Sequence, residues 1–331
     1  MISVLMPCYN AEKFIQRSID SVLSQSISQF EFVIVDDGST DNTVSIIKSY
    51  KDSRIRLIKI PFNHGIANAL NTGLKACKNK YIARMDADDV CVKDRFEKQS
   101  NFLDKNKDVV AVGSSIINFD QSGNEVQISY PKTHEEILLN LLLYERTLCH
   151  PSVMFRKSAV LNGAKYNEKR TWCEDLDFWF QLSKIGRLAN IEKPLLKYCR
   201  SNLQSSIKHK KLMLKNTKKL LNVIWQEYKV EKINLVLNYL LSEPKINNEQ
   251  IQLINSLIKQ SLLNNSYFTN EHIDEILAFK RLRYNYKNKK KIINIFLSLV
   301  AYIKTIKKEH FKKITFIWKL QKIKKIKLNH V

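Results

Sequence analysis

Apolar positions along the first part of the chain alternate between two spacings. Residues 3–6 and 30–35 are short runs rich in branched aliphatic side chains, each closed by turn-forming residues, and they read as buried strands. Between them Ile15, Ile19, Val22 and Leu23 recur at the three- and four-residue steps of a helix with one apolar face. The alternation continues with strands expected over 55–60 and 81–83 and a helix over 65–76. It predicts an α/β fold, a mostly parallel twisted sheet with helices on both faces, whose ligands sit at the carboxyl ends of the strands. Residues 109–112, 115–119 and 126–129 read as later strands, the last two joined by a turn over 121–124.

The pattern changes near residue 205. Beyond it Leu, Ile, Lys and Asn dominate at helical spacing, and all seven glycines precede residue 187. Two regions are therefore expected: a catalytic domain over 1–205 and a helical, Lys-rich region over 206–331. The longest apolar run, residues 292–303, contains Asn294 and Ser298 and falls short of the roughly 20 residues that cross a bilayer.

Composition narrows the class. With 44% hydrophobic and 26% charged residues the chain reads as globular, which excludes disordered and fibrous proteins. The six cysteines are scattered with no disulfide or zinc spacing, and Pro7 and Asn10 interrupt the only apolar run near the start, so a reducing cytoplasm is expected. The formal charge of +23 is concentrated late: residues 280–331 hold seventeen Lys and Arg against Glu309 alone.

Three acidic clusters stand where the pattern puts strand ends or helix starts. Val33-Ile34-Val35-Asp36-Asp37-Gly38-Ser39-Thr40-Asp41 closes a strand with paired acids. A carboxylate there can accept from a base imide or a ribose hydroxyl, or it can belong to a helix cap. Arg84-Met85-Asp86-Ala87-Asp88-Asp89 puts three carboxylates into four positions, where they repel one another unless a cation compensates. Mg2+ or Mn2+, held by one or two carboxylates and phosphate oxygens, is the natural partner, and Arg84 either assists or pairs with a loop acid. Trp172-Cys173-Glu174-Asp175-Leu176-Asp177 opens a helix with acids, which cap it or supply a base beside an acceptor hydroxyl. Among the neighbouring aromatics, Phe178 and Phe180 read as core and Trp172 as a sugar-stacking candidate.

Together these sites resemble glycosyltransferase family 2, whose members have the nucleotide-sugar-binding GT-A fold. The opening Ser3-Val4-Leu5-Met6-Pro7-Cys8-Tyr9-Asn10, the run Ser21-Val22-Leu23-Ser24-Gln25-Ser26 and Asn63-His64-Gly65-Ile66-Ala67-Asn68-Ala69-Leu70-Asn71-Thr72-Gly73 extend the resemblance over residues 2–200. It implies that Asp37 contacts a uridine base, with Asp36 and the backbone of Pro7 to Tyr9 completing the nucleoside pocket. Asp86 and Asp88 would form the D-x-D element, Asp88 the direct metal ligand, and Asp175 the general base of an inverting displacement, with Glu174 supporting it or binding acceptor. His150-Pro151-Ser152-Val153-Met154-Phe155-Arg156 is similar to a segment of bacterial polysaccharide-building members, which makes His150 an acceptor-site candidate or a structural histidine. Tyr198-Cys199-Arg200 with Ser205-Ser206 resembles a tail that closes over the diphosphate, so Arg200 is a candidate there.

The expected activity is transfer of a hexosyl or N-acetylhexosaminyl group from a UDP-sugar to a saccharide or lipid-linked acceptor in capsule, lipopolysaccharide or exopolysaccharide synthesis. A metal-dependent nucleotidyltransferase would share the sheet and the carboxylates, but Pro7-Cys8-Tyr9-Asn10 stands where its Gly-rich phosphate loop belongs. Nucleic-acid binding rests on charge alone, and no specific nucleic acid is expected. The stretch 280–331 mixes Lys289-Lys290-Lys291 and Lys304 to Lys308 with Ile314, Phe316, Ile317 and Trp318; it reads as a contact with an anionic membrane surface, making a cytoplasmic protein peripheral, or as a solvated face. The full-length protein should sediment with anionic liposomes at low salt far more than a chain ending near residue 280; equal indifference of the two defeats the membrane contact.

Overall fold

The computed structural model describes residues 1–120, 123–200, 209–241, 246–263 and 268–287. Its elements in order are β1 (Ile2–Cys8), α1 (Ile15–Leu23), β2 (Phe30–Asp37), α2 (Thr43–Ser49), β3 (Ile55–Ile60), α3 (Ile66–Ala76), β4 (Tyr81–Arg84), β5 (Val90–Cys91), α4 (Arg95–Lys105), β6 (Val109–Asp120), β7 (Glu125–Ile128), α5 (His134–Leu142), a 3-10 turn (His150–Ser152), β8 (Met154–Arg156), α6 (Lys157–Leu161), α7 (Glu174–Ile185) and β9 (Arg187–Arg200). Helices Lys210–Glu227, Ile233–Leu240, Asn248–Leu263 and Asn270–Lys287 follow. The chain divides into two compact units, Met1–Glu227 and Tyr228–Val331.

The first unit carries one sheet in the order β3-β2-β1-β4-β8-β6-β9-β5, with β7 alongside β6. Strands β3, β2, β1 and β4 are mutually parallel, as the strand and helix alternation requires. Beyond β4 the sheet becomes mixed: β8 is antiparallel to both β4 and β6, β5 is antiparallel to β9, and β6 runs parallel to β9. The sheet is thus less parallel than the alternation predicts, because the short strands β5, β7 and β8 run against their neighbours. The segments 109–112 and 115–119 are one strand. Ser114 and Ser115, which interrupt the apolar pattern, mark register shifts against β9, where Ser114 pairs with Ile191 and Ser115 with Pro194, leaving Glu192 and Lys193 as the extra residues. β7 is antiparallel to β6, and residues 121 and 122 of the turn expected over 121–124 lie outside the described residues.

Period-two alternation explains the layers on either side of β1 and β2. Ile2, Val4, Met6, Phe30, Phe32 and Ile34 share a buried cluster with Ile15, Ile19 and Val22 of α1. The opposite face meets α3, where a side chain at Gly73 would run into Leu5 and Val35. Since β2 and β3 lie on one side of β1 and β4 on the other, the chain reverses its order of strand addition between β1 and β4. Loops leaving the carboxyl ends of β1, β2 and β4 diverge there and form the crevice of the fold.

Helix Lys210–Glu227 buries Thr217, Leu220, Leu221, Ile224 and Trp225, one stripe at helical spacing, and Trp225 Nε1 donates to the Leu142 carbonyl at 3.0 Å. It belongs to the first unit, 22 residues past the compositional change at 205. The second unit buries Ile251, Ile254, Ile258, Leu262, Ile273 and Leu277, and Lys259 meets Asp274 at 2.8 Å. Among the described residues no helix is long and apolar enough to cross a membrane. The tail 288–331, with its lysines and the run 292–303, lies outside the described residues.

Gly38 has φ +75°, and a Cβ there would stand 2.8–2.9 Å from the backbone of Phe62 and Asn63. Gly123 has φ +80° with nothing within 4 Å of its missing Cβ. Gly38→Ala should therefore lower the melting temperature by several degrees more than Gly123→Ala, since only the former adds a backbone collision to a conformational cost of about 1–3 kcal/mol. Equal shifts in a thermal melt would show that the Phe62 loop yields.

Candidate active site

Three loops form the crevice, and each is fixed by short polar side chains. Residues 8–12 and 38–43 are laced together: Asn10 N–H donates to Ser39 Oγ at 2.9 Å, Thr40 N–H to Asn10 Oδ1 at 2.9 Å, Ala11 N–H to Thr43 Oγ1 at 2.7 Å and Glu12 N–H to Asp41 Oδ2 at 3.1 Å. Asn10 takes φ +48° to do so, a conformation that asparagine tolerates better than most residues. Pro7 pairs with Val35 one residue before the end of β1, and Tyr9 projects, 47% exposed, from the mouth of this double loop.

Asp36 and Asp37 are both buried at the end of β2. Asp36 Oδ2 accepts from Ser39 N–H at 3.3 Å, and its other oxygen faces the Cys8 thiol at 3.9 Å. Both oxygens of Asp37 meet backbone donors, His64 N–H at 3.0 Å and Gly65 N–H at 2.8 Å, directly before α3. Asp37 thus organises the approach to α3, a function that the paired acids alone do not reveal. The segment Asn63 to Gly73 is tied to the loop 38–43 through this carboxylate.

The acidic loop after β4 is held from the α1 side. Ser18 Oγ lies 2.8 Å from the carbonyls of Ala87 and Asp89, Arg17 Nη2 donates to the Asp88 carbonyl at 2.9 Å, and Ser21 Oγ accepts from Cys91 N–H at 3.0 Å. Within the loop one carboxylate oxygen each of Asp86, Asp88 and Asp89 lies within 4.8 Å of the others. Asp89 Oδ1 accepts from Cys199 N–H at 2.8 Å, while its Oδ2 is buried without a hydrogen-bond partner. Burial, then the charge of Asp86, pushes Asp88 up to about 6; burial and both neighbours push Asp89 well above the carboxylate range. Crowded oxygens, an orphaned buried one and carboxyls reluctant to ionise together fit a hard divalent cation. Asp89 extends the expected Asp86 and Asp88 pair, though its other oxygen is already committed to the β9 backbone.

Arg84 sits at the centre of these charges. It is 1% exposed, and its Nη1 lies 2.6 Å from Asp86 Oδ2. Its charge also lowers the proton affinity of Asp88, Asp89, Glu174, Asp175, His150 and Tyr166, which brings the third cluster into the same crevice. Glu174 and Asp175 open α7. Burial and the Asp175 charge lift Glu174 to about 7, and its Oε2 is buried with no hydrogen-bond partner. Asp175 is also raised by burial, opposed by Leu176 N–H at 2.8 Å and by Arg84. His150 Nε2 lies 2.9 Å from the Tyr166 hydroxyl, and burial, reinforced by Arg84, keeps the ring neutral well below its ordinary value. Trp172 has φ +69° and stacks on His209 at 4.3 Å, so one face of its ring already has a partner within the chain. Phe178 and Phe180 are buried. Arg200 is exposed at the last residue of β9; Ser205 and Ser206 lie outside the described residues.

Residues 3–162 match the family model described as Glycosyl transferase family 2. The chain is 31% identical over 202 residues to the amylovoran biosynthesis glycosyltransferase AmsE of Erwinia amylovora, a match covering 60% of this chain and 75% of that one. The protein belongs to glycosyltransferase family 2. An uncharacterized glycosyltransferase of Haemophilus influenzae is 34% identical over 211 residues, 60% of this chain and 65% of the relative, so the match spans just under two thirds of that protein. The fold of this family 2 glycosyltransferase also matches that of S. aureus TarS 1–349, solved in complex with UDP-GlcNAc, at a TM-score of 0.58 and 19% identity over 92% of this chain and 91% of that one. The mixed, curled sheet is the GT-A fold.

An acid whose proton affinity rises on folding is destabilising wherever it is ionised. For Asp88, moved from 3.8 to about 6, and Glu174, moved from 4.5 to about 7, the folded protein binds more protons than the unfolded one between those values. Their contribution to stability is therefore greatest in acid and falls as pH rises from about 4 to about 7. Relative to Asp88→Asn, the wild-type melting temperature should drop by a few degrees more across that interval, and MnCl2 should restore more of it at pH 7 than at pH 5. Parallel wild-type and Asp88→Asn profiles would contradict the assignment.

Proposed function

We propose that this glycosyltransferase moves a hexosyl or N-acetylhexosaminyl group from a UDP-sugar to a saccharide or lipid-linked acceptor, with inversion, in the synthesis of a cell-surface polysaccharide. The observation that carries the reading is the convergence of Asp86, Asp88 and Asp89 with Arg84 and Asp175 at the end of β4, the place where the fold opens. The UDP-GlcNAc bound by TarS and the amylovoran synthesis in the name of AmsE support the donor and the pathway class, and belong to those proteins.

In this reading the laced loops 8–12 and 38–43 bind the nucleoside, with Tyr9 at the mouth and Asp36 and Asp37 beneath it. Asp88 and Asp86 hold Mn2+ or Mg2+, which when bound neutralises the diphosphate leaving group. Arg84 fixes Asp86 and limits repulsion among the acids. Asp175 accepts the proton of the acceptor hydroxyl as that oxygen bonds to the anomeric carbon and the bond to the diphosphate breaks, releasing UDP. Its burial raises its basicity, and the Arg84 charge keeps it ionised enough to act. Glu174 and His150 line the acceptor side, and Arg200 stands at the mouth on β9. A cytoplasmic protein resting on the inner membrane face through 280–331 would reach a lipid-linked acceptor.

Asp175→Asn should retain Mn2+-dependent UDP binding while transfer falls by about 10²–10⁴-fold, the usual worth of a general base. Asp88→Ala should lose the metal-dependent part of UDP binding itself. The check is a panel of UDP-sugars assayed with and without MnCl2, with calorimetry on each variant. Full transfer by Asp175→Asn removes the base assignment, and equal UDP binding by Asp88→Ala removes the metal assignment.

A further inference from the structure

Arg95, in the first turn of α4, is 0% exposed, and every partner of its guanidinium is uncharged. Nε donates to Gln99 Oε1 at 3.0 Å; Nη1 lies 3.3 Å from Cys91 Sγ and 3.5 Å from Met85 Sδ; Nη2 donates to the Arg84 carbonyl at 2.6 Å and to the Val153 carbonyl at 3.4 Å. Among the described residues no carboxylate lies within ion-pair distance of it. A fully buried cation without an anion is costly, and packing alone gives no reason to keep one where an aliphatic side chain of similar volume would fit.

The partners give the reason. Met85 and Cys91 bracket the acidic loop, and the Arg84 carbonyl is the last one of β4 before it. One planar guanidinium thus holds both ends of the segment that presents Asp86, Asp88 and Asp89, using several donors in a fixed geometry that a lysine cannot reproduce. Gln99, one turn further along α4, donates to the carbonyls of Val112 at 3.0 Å and Ser152 at 2.8 Å. The Val153 carbonyl receives both Arg95 and Arg84 N–H, the latter at 2.9 Å. Arg95 and Gln99 therefore join the acidic loop to the turn that carries His150.

We propose that Arg95 is a positioning residue that fixes the spacing of the acidic loop for its divalent cation and, through Val153 and Gln99, the placement of that loop against the His150 turn. The proposal rests on the reading of Asp86 and Asp88 as metal ligands. Arg95 reaches neither metal nor substrate; it acts through the backbone at Arg84 and the side chains at Met85 and Cys91.

The test compares the full chain carrying Arg95→Met or Arg95→Lys with wild type and with Leu103→Ala, which opens a cavity at a buried position on the same helix, about two turns away. The readouts are calorimetric binding of UDP with MnCl2, the kcat and KM for transfer as Mn2+ is varied, and the melting temperature. Arg95→Met should weaken Mn2+-dependent UDP binding at least tenfold and raise the Mn2+ concentration for half-maximal rate, with Arg95→Lys between it and wild type. Leu103→Ala should lose comparable melting temperature yet bind within twofold of wild type. An Arg95 variant that melts cooperatively and binds as wild type overturns the proposal. So does a Leu103→Ala chain that loses affinity as the Arg95 variants do, and so does failure of both Arg95 variants to fold while Leu103→Ala folds. If Arg95→Met alone does not fold, Arg95→Lys is judged by the same criterion. A wild-type chain indifferent to Mn2+ and UDP defeats the metal reading and this proposal together, whereas wild-type binding with undiminished Arg95 variants defeats this proposal alone.

Discussion

The site depends on one buried guanidinium. Arg84 ends the short strand β4, and its charge acts on carboxyls from the acidic loop and from the start of α7, segments nearly ninety residues apart. Without a cation there, five acids would be brought into a partly dehydrated crevice with nothing to offset their repulsion, and at least some would stay protonated at neutral pH. One buried positive charge against five carboxyls leaves an excess of negative charge, and burial with mutual repulsion raises the proton affinity of Asp88, Asp89 and Glu174. In the proposed reading an anionic diphosphate would be repelled by these carboxylates until a divalent cation had entered, so electrostatics would set an order on binding as well as a place.

Holding such an imbalance requires rigid loops, and the chain supplies rigidity from neutral groups. Ser18 and Ser21 of α1, and Gln25 just after it, bind backbone around the acidic loop, with Gln25 Nε2 reaching the Val92 carbonyl at 2.9 Å. Hydroxyls and amides satisfy backbone groups without adding charge to a crowded site. Where charge is used for support, as at Asp37 and Arg95, it is spent on backbone donors or acceptors rather than on an opposite charge. Such arrangements fix geometry at the cost of desolvation, and they stand directly under the loops that must not move.

Legibility in the sequence followed the range of the interactions involved. The parallel half of the sheet was readable because its strands are short and rich in branched aliphatic residues and its connections are helices of regular period. The acidic clusters were readable because carboxylates at a strand end are conspicuous. In the mixed half β6 and β7 were readable, but β5 and β8 were not, since they have two and three residues, too few for any periodicity to register. The bonds from His64 and Gly65 N–H to Asp37 were not legible because nothing local says that those residues fold back onto it. Arg95 and Gln99 were silent for the opposite reason: on a helix with Glu97, Lys98 and Asp104 they resemble two more surface residues, and only the tertiary fold shows that this polar pair faces inward.

The boundary at residue 205 shows the same limit in another form. Composition changes there because glycine disappears and lysine-rich helices begin, but packing follows side-chain stripes rather than composition. Thr217, Leu220, Leu221, Ile224 and Trp225 make a stripe that is buried within the first unit, and Asn216 donates to the Thr171 carbonyl at 2.9 Å beside Trp172. Together with the ring of His209 on Trp172, this hydrogen bond places the start of helix Lys210–Glu227 against the loop that leads into Glu174 and Asp175. A helix that looks like the beginning of an appendage by its lysines is, by its contacts, a wall of the segment that carries the proposed base. A chain ending at residue 205 would lack that wall and the Trp225 donor to the Leu142 carbonyl, so in the proposed reading the support of the base extends along the helix to Glu227.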